Sequence, residues 1–225
     1  MNVISKFGRL IALGGGLALS LLIQGCATPA KPYDYSAYKQ AKPASILVLP
    51  PVNGTPEVMA VPSVMAQMTQ PLAESGYYVM PVSLVDETLK ANGVQTSDEA
   101  QQIPVQKLRE IFGADAGLYV KVLRYGSVYK VVNSETAVTL EAKLVDLRSG
   151  QLLWEGSASA SSAEQANNSQ GGLIGMLVKA VVDQIVATTT DRSHPMAGLA
   201  SQRLLAAGRP NGLLFGPRSP NYGKP

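Results

Sequence analysis

The sequence predicts an α/β domain: a three-layer mixed sheet, with a parallel βαβ half followed by an antiparallel β-meander and a C-terminal helix. Three observations predict it. Ser45–Leu49 (SILVL) is an unbroken apolar run, the pattern of a strand buried on both faces. From there to Gly113, strand-like and helix-like stretches alternate, which calls for parallel strands joined by right-handed crossovers. From Gly117 onward the apolar period becomes two, and a strand–turn–strand pattern replaces the alternation.

The first strand is closed by Pro50-Pro51 and feeds a loop, Val52–Pro56. A helix follows over Pro62–Glu74, with Val64, Met65, Met68 and Leu72 at helical spacing; Pro71 is expected to kink or end it. Gly76 stops it, and Tyr77–Met80 makes the second strand. Pro81–Lys90 reads as another helix, burying Val82, Val85 and Leu89 and stopping at Asn92-Gly93. A further start signal stands at Ser97, followed by Asp98 and Glu99. Pro104 then opens a helix that places Val105, Leu108, Ile111 and Phe112 toward the core and ends at Gly113.

Leu118–Val128 alternates as a long strand. Thr136–Leu147 sets Val138, Leu140, Ala142 and Leu144 on one face and Thr139, Glu141 and Lys143 on the other, so one side of this part of the sheet is expected in water. Arg148-Ser149-Gly150 makes the turn, with a positive φ at Gly150, and Gln151–Ala158 returns with the only tryptophan, Trp154. Ser157–Gln170 is small and polar and reads as a loop. The next stretch, Leu173–Ala187, is apolar almost all round apart from a stripe of Gly175, Lys179 and Asp183. Such a helix needs cover on two sides, either from the sheet and the C-terminal tail or from a second subunit; in the latter case Leu173, Met176, Leu177, Val181 and Val182 are the expected dimer contacts. Beyond Arg192 a short helix is expected around Leu199–Ala206, before an irregular Gly- and Pro-rich end.

Ahead of the domain lies a different kind of segment. Lys6 and Arg9 precede an uncharged apolar run, Leu10–Ile23, which is shorter than the roughly 20 residues of a membrane-spanning helix. It ends in Ile23-Gln24-Gly25-Cys26, which resembles a bacterial lipobox, with Gln24 where a small residue is usual. The resemblance implies a signal peptide over residues 1–25 and a lipidated amino terminus at Cys26, with palmitate among the expected acyl groups. Residues 26–44 then read as a tether, 45–190 as the α/β domain and 191–225 as a tail packing on the domain or on a partner. Tyr33, Tyr35 and Tyr38 punctuate the tether.

Removal of residues 1–25 takes away two cations and no acid, so the formal charge of +3 falls to +1. That is too little to support a nucleic-acid partner. Cys26 is the only cysteine, so once it is lipidated no thiol remains for a disulfide, a metal or a nucleophile. The single histidine, His194, has no motif around it, and neither a zinc-ligand spacing, an HExxH nor a P-loop occurs. Glu57, Asp86, Asp115 and Asp146 are the carboxylates to consider for acid–base work, and nothing in the sequence pairs them. Asp146, just before the turn, reads as a structural acceptor of backbone N–H groups. The expectation is no enzyme and no cofactor.

The turn Asp146–Gly150 followed by Leu152-Leu153-Trp154-Glu155-Gly156 resembles the hairpin of curli-secretion lipoproteins of the CsgG type and of the TolB N-terminal domain. The whole chain, with SILVLPP at Ser45–Pro51 and GLLFGPRSPNYG in the tail, is similar to a family of bacterial envelope lipoproteins of unknown function. This resemblance implies a periplasmic module that works by contact with other envelope proteins, within a transport or assembly complex. Ala27 stands where an inner-membrane retention signal would place Asp, which implies the outer membrane. Two rivals remain: a carboxylate hydrolase, which would show two acids converging beyond the end of Ser45–Leu49, and a small-ligand carrier, which would show a largely apolar pocket.

Overall fold

The computed structural model describes residues 32–129, 134–167 and 192–224, and from Asp34 onward the chain forms one compact unit. Cys26 and the Leu173–Ala187 stretch, with its proposed dimer contacts, lie outside the described residues.

The elements are α1 (Ser36–Ala41), β1 (Ser45–Val48), β2 (Val52–Asn53), α2 (Ala60–Glu74), β3 (Tyr78–Val79), α3 (Val82–Ala91), α4 (Ser97–Gln102), α5 (Val105–Phe112), β4 (Ala116–Tyr129), β5 (Ser134–Asp146), β6 (Leu152–Ser161), α6 (Ser162–Asn167) and α7 (Ser193–Leu205). The sheet order is β3-β1-β4-β5-β6, and β2 continues the line of β1 along β4. The β3–β1 and β1–β4 pairs are parallel, whereas β4–β5 and β5–β6 are antiparallel. The mixed α/β sheet read from the periodicities is therefore the observed one.

β1 is buried on both faces as its apolar run requires: Ile46, Leu47, Val48 and Leu49 have no exposed surface. Leu47 and Leu49 pack with Val85, Leu89, Ala100 and Leu108 from α3, α4 and α5. α7 packs against α2 and across β4, β5 and β6. The inward residues of the meander are in register, Leu118 opposite Leu144, Val120 opposite Ala142 and Leu144 opposite Trp154. On the other side Glu141, Lys143 and Glu155 are exposed, as alternation demands. A register shift between Leu144 and Val145 gives β6 one extra residue, so that Leu153 and Trp154 are both buried although they are neighbours.

Several expectations are corrected. Ile111, expected toward the core, is 42% exposed, and the last helix starts at Ser193, ahead of the expected Leu199. Of the two outcomes expected at Pro71, an end to the helix does not occur, since α2 runs on to Glu74; the amide it lacks removes one bond close to the helix end, and the Ser75 hydroxyl donates to the Pro71 carbonyl. Ser157–Gln170 does not begin as a loop, because β6 continues to Ser161 and α6 follows. The small residues are used for packing: a Cβ on Gly156 would lie 2.4 Å from the Trp154 ring, so only glycine lets the indole lie across the strand. Finally, the region expected to be a tether is ordered from Asp34, with Ser36–Ala41 helical and Tyr38 only 3% exposed.

Candidate functional site

Three of the four carboxylates considered for acid–base chemistry, Asp86, Asp115 and Asp146, are held in structural bonds, and the Glu57 side chain packs beside Gly126. Asp115, between α5 and β4, accepts hydrogen bonds from the Ala44 and Ser45 amides and the Ser45 hydroxyl, and Arg148 reaches it at 2.6 Å. Burial pushes its pKa up, but those donors outweigh burial and hold it below the ordinary value. Asp146 accepts from the Ser149 amide and hydroxyl, which closes the turn at Gly150 (φ +78°). Asp86 pairs with Lys90 one turn along α3. Beyond the carboxyl end of β1, where a hydrolase would need converging acids, the Gln101 side chain donates to the carbonyls of Pro50 and Val120. A concavity of about 610 Å³ lies there, lined by Gln101, Lys121, Glu141, Lys143 and Glu155, and Lys143 pairs with Glu155 at 3.8 Å. His194 has a structural place. Its Nδ1 lies 2.7 Å from the Ser63 hydroxyl and its Nε2 2.7 Å from Gln67 Nε2, so it clasps the start of α7 to α2.

A second concavity, of about 830 Å³, lies between α1 and the C-terminal segment Gly208–Lys224. Its floor is built from phenols. Tyr38 and Tyr77, each 3% exposed, share a 2.6 Å hydroxyl–hydroxyl bond, and the Tyr77 hydroxyl also donates to the Leu214 carbonyl. Tyr35 packs edge-on against Tyr38, with centroids 6.3 Å apart, and donates to the Gly212 carbonyl. Burial raises the pKa of both Tyr38 and Tyr77, so these hydroxyls stay neutral. Behind the wall, Trp154 Nε1 donates to the Asn211 carbonyl.

The same segment is tied to the end of α2. Gly216 N–H donates to the Ser75 carbonyl and Arg218 N–H to that of Gly76. Gly76 has φ +94°, and a Cβ there would sit 2.4 Å from the Ser219 nitrogen, so the tail rests directly on a backbone that only glycine supplies.

The rim of the cavity is cationic. Lys39, Lys42, Arg209 and Lys224 are all exposed lining residues, and no carboxylate lines it among the described residues. The described residues also contain just two non-glycine positions at positive φ, Lys42 (+45°) and Asn211 (+57°), and both line this cavity. The tyrosines at 33, 35 and 38 and the tail GLLFGPRSPNYG were the sequence signals near it. The cations were not legible as a group, because they come from segments about 170 positions apart. Of the residues singled out from sequence, Asp115, Asp146 and His194 are placed in separate structural bonds, and the described residues contain no cluster able to hold a metal.

Comparison with known proteins gives a consistent family. Residues 33–218 match the family described as "Putative lipoprotein GNA1162-like". The chain is 45% identical over 204 residues to "Putative lipoprotein NMB1124/NMB1162" of Neisseria meningitidis serogroup B, covering 90% of this chain and 94% of that one. The crystal structure of lipoprotein GNA1162 from Neisseria meningitidis is 47% identical and superposes with a TM-score of 0.52, covering 65% of this chain and all of that one.

Proposed function

Because this chain belongs to the GNA1162-like lipoprotein family, we propose that it is an envelope module held to the outer membrane by acyl groups on Cys26, facing the periplasm and acting by contact within a transport or assembly complex. No catalytic step is part of this reading. The observation that carries it is where folded structure begins. With the compact unit starting at Asp34, the chain between Cys26 and the domain spans at most about 30 Å even when fully extended, so the domain works against the membrane surface rather than at a distance from it. The proposed kinship to CsgG-type lipoproteins and the TolB N-terminal domain rests on the order of the hairpin alone. Self-association through Leu173, Met176, Leu177, Val181 and Val182 is a further part of the proposal.

Labelled palmitate tests the anchor. Wild-type protein should take up label and sediment with membranes, whereas Cys26→Ser should do neither; label retained by the variant would overturn the anchor. Crosslinking in native membranes then identifies the contacts.

The alternative reading as a small-ligand carrier is favoured by one observation, the aromatic cavity between α1 and the tail, whose volume falls in the usual range for ligand sites.

A further inference from the structure

We propose that the cavity between α1 and Gly208–Lys224 is a binding site for an anionic amphiphile, with the acid head among Lys39, Lys42 and Arg209 and the apolar body on the tyrosine floor. The inference rests on the anchored reading above only for access to lipid; the site itself is argued from its own chemistry.

Two properties of the cavity select this class. The interior is aromatic and aliphatic, Tyr35, Tyr38, Leu213 and Phe215 among its lining, and the hydroxyls of Tyr35, Tyr38 and Tyr77 are committed to one another and to tail carbonyls. Few polar groups remain inside to recognise a sugar or a polar nucleoside, so what enters must be mostly apolar. The entrance, by contrast, collects cations. Lys39, Lys42 and Arg209 form no ion pair among the described residues, and Lys224 touches only the neutral Asn221 side chain there. Three lysines elsewhere on the surface do form ion pairs, Lys90 with Asp86, Lys107 with Glu110 and Lys143 with Glu155. Unpaired cations beside apolar surface complement a molecule with one negative end.

Backbone strain points to the same place. A lysine in the left-handed region is uncommon, and Lys42 occupies it at the end of α1, where it turns the chain and sets its side chain at the rim. Asn211, the other such position, supplies the carbonyl that Trp154 holds. Both walls are thus fixed before any ligand arrives, which keeps the ordering cost of binding low. Single-chain acids and the anionic phospholipids of a bilayer share the required chemistry, and the experiment separates them.

The full-length lipidated protein is reconstituted in phosphatidylcholine nanodiscs and titrated with decanoate, dodecanoate, myristate and palmitate, then with the matching alcohols. Trp154, the only tryptophan and bonded to the cavity wall, is the fluorescence reporter. The acids should give a saturable change that tightens by up to about fourfold per added methylene until the cavity is full. The alcohols should bind at least about tenfold more weakly, the discrimination expected of a charge-assisted contact. Lys39→Glu/Lys42→Glu/Arg209→Glu should lose that advantage for acids and leave alcohol binding unchanged, and the milder Lys39→Gln/Lys42→Gln gives the same direction if the triple variant folds poorly. A response to phosphatidylglycerol discs, reduced by the same variants, supports the site and identifies the bilayer as the source. Equal binding of acids and alcohols, no saturable response to any acid or to phosphatidylglycerol, or a response to acidic peptides alone would overturn it. Palmitate labelling of Cys26 is read on the same preparation, so failure of the anchor and failure of the cavity are seen separately.

Discussion

Two junctions draw distant parts of this chain together, and they are built from opposite chemistry. At Asp115 a carboxylate gathers the Ala44 and Ser45 amides, the Ser45 hydroxyl and Arg148, tying the entrance of β1 to the β5–β6 turn. At the tyrosine floor, neutral hydroxyls and one indole N–H hold the carbonyls of Asn211, Gly212 and Leu214. The first junction is charged and closed, every ion meeting a partner. The second is uncharged and open, and the cations nearest to it face an apolar cavity instead of a carboxylate. Charge used for stability is satisfied locally; charge left facing apolar space is available to something outside the chain.

The contrast can be broken most sharply at Trp154. Trp154→Ala removes a side chain that is 2% exposed together with the bond to Asn211, and should cost about 3–5 kcal/mol in urea unfolding. It should also speed amide exchange in the tail around Gly212–Gly216. A cost below about 1 kcal/mol would mean that the uncharged junction is not what holds the tail. Asp115→Ala should cost less, about 1–3 kcal/mol at neutral pH, because it orphans amides and a guanidinium that water partly reaches. Its signature is pH dependence. The folded pKa is depressed, so the carboxylate's contribution is fully present above the ordinary aspartate value of about 3.9 and is lost as pH falls through the lower folded value. The variant should therefore be flatter than wild type below about pH 4. The smallest effect belongs to the rim. Lys39→Gln/Lys42→Gln should change stability by no more than about 0.5 kcal/mol, and a larger loss would show that these cations serve the fold.

Most of the architecture was legible in the residues because burial imprints a period. Ser45–Leu49, the Val138–Leu144 alternation and the Gly150 turn each follow from one local rule, and each stands where that rule puts it. What escaped local reading depends on partners far along the chain. α1 carries a single fully buried residue, Tyr38, so it has no stripe to detect; its partner Tyr77 is 39 positions away, and the tail carbonyl bonded by Tyr35 is 177 away. The extension of β6 beyond Ala158, through Ser159 to Ser161, looked like a loop because composition says small and polar, while the decision is made by the ladder with β5. Asp115 could be named as a carboxylate, but the convergence of Ala44, Ser45 and Arg148 upon it could not. The cavity was the least legible feature, since its floor and rim are assembled only when α1 and the tail meet.

The bond between Tyr35 and Gly212 also sets a clock. The 177 positions between them must be made before α1 can be seated, and at roughly 5–20 residues per second that takes about 9–35 s. Throughout that interval the Tyr35 hydroxyl, just ahead of α1, has no tail carbonyl to bond. The chain therefore reaches its last residues with this corner of the domain still open.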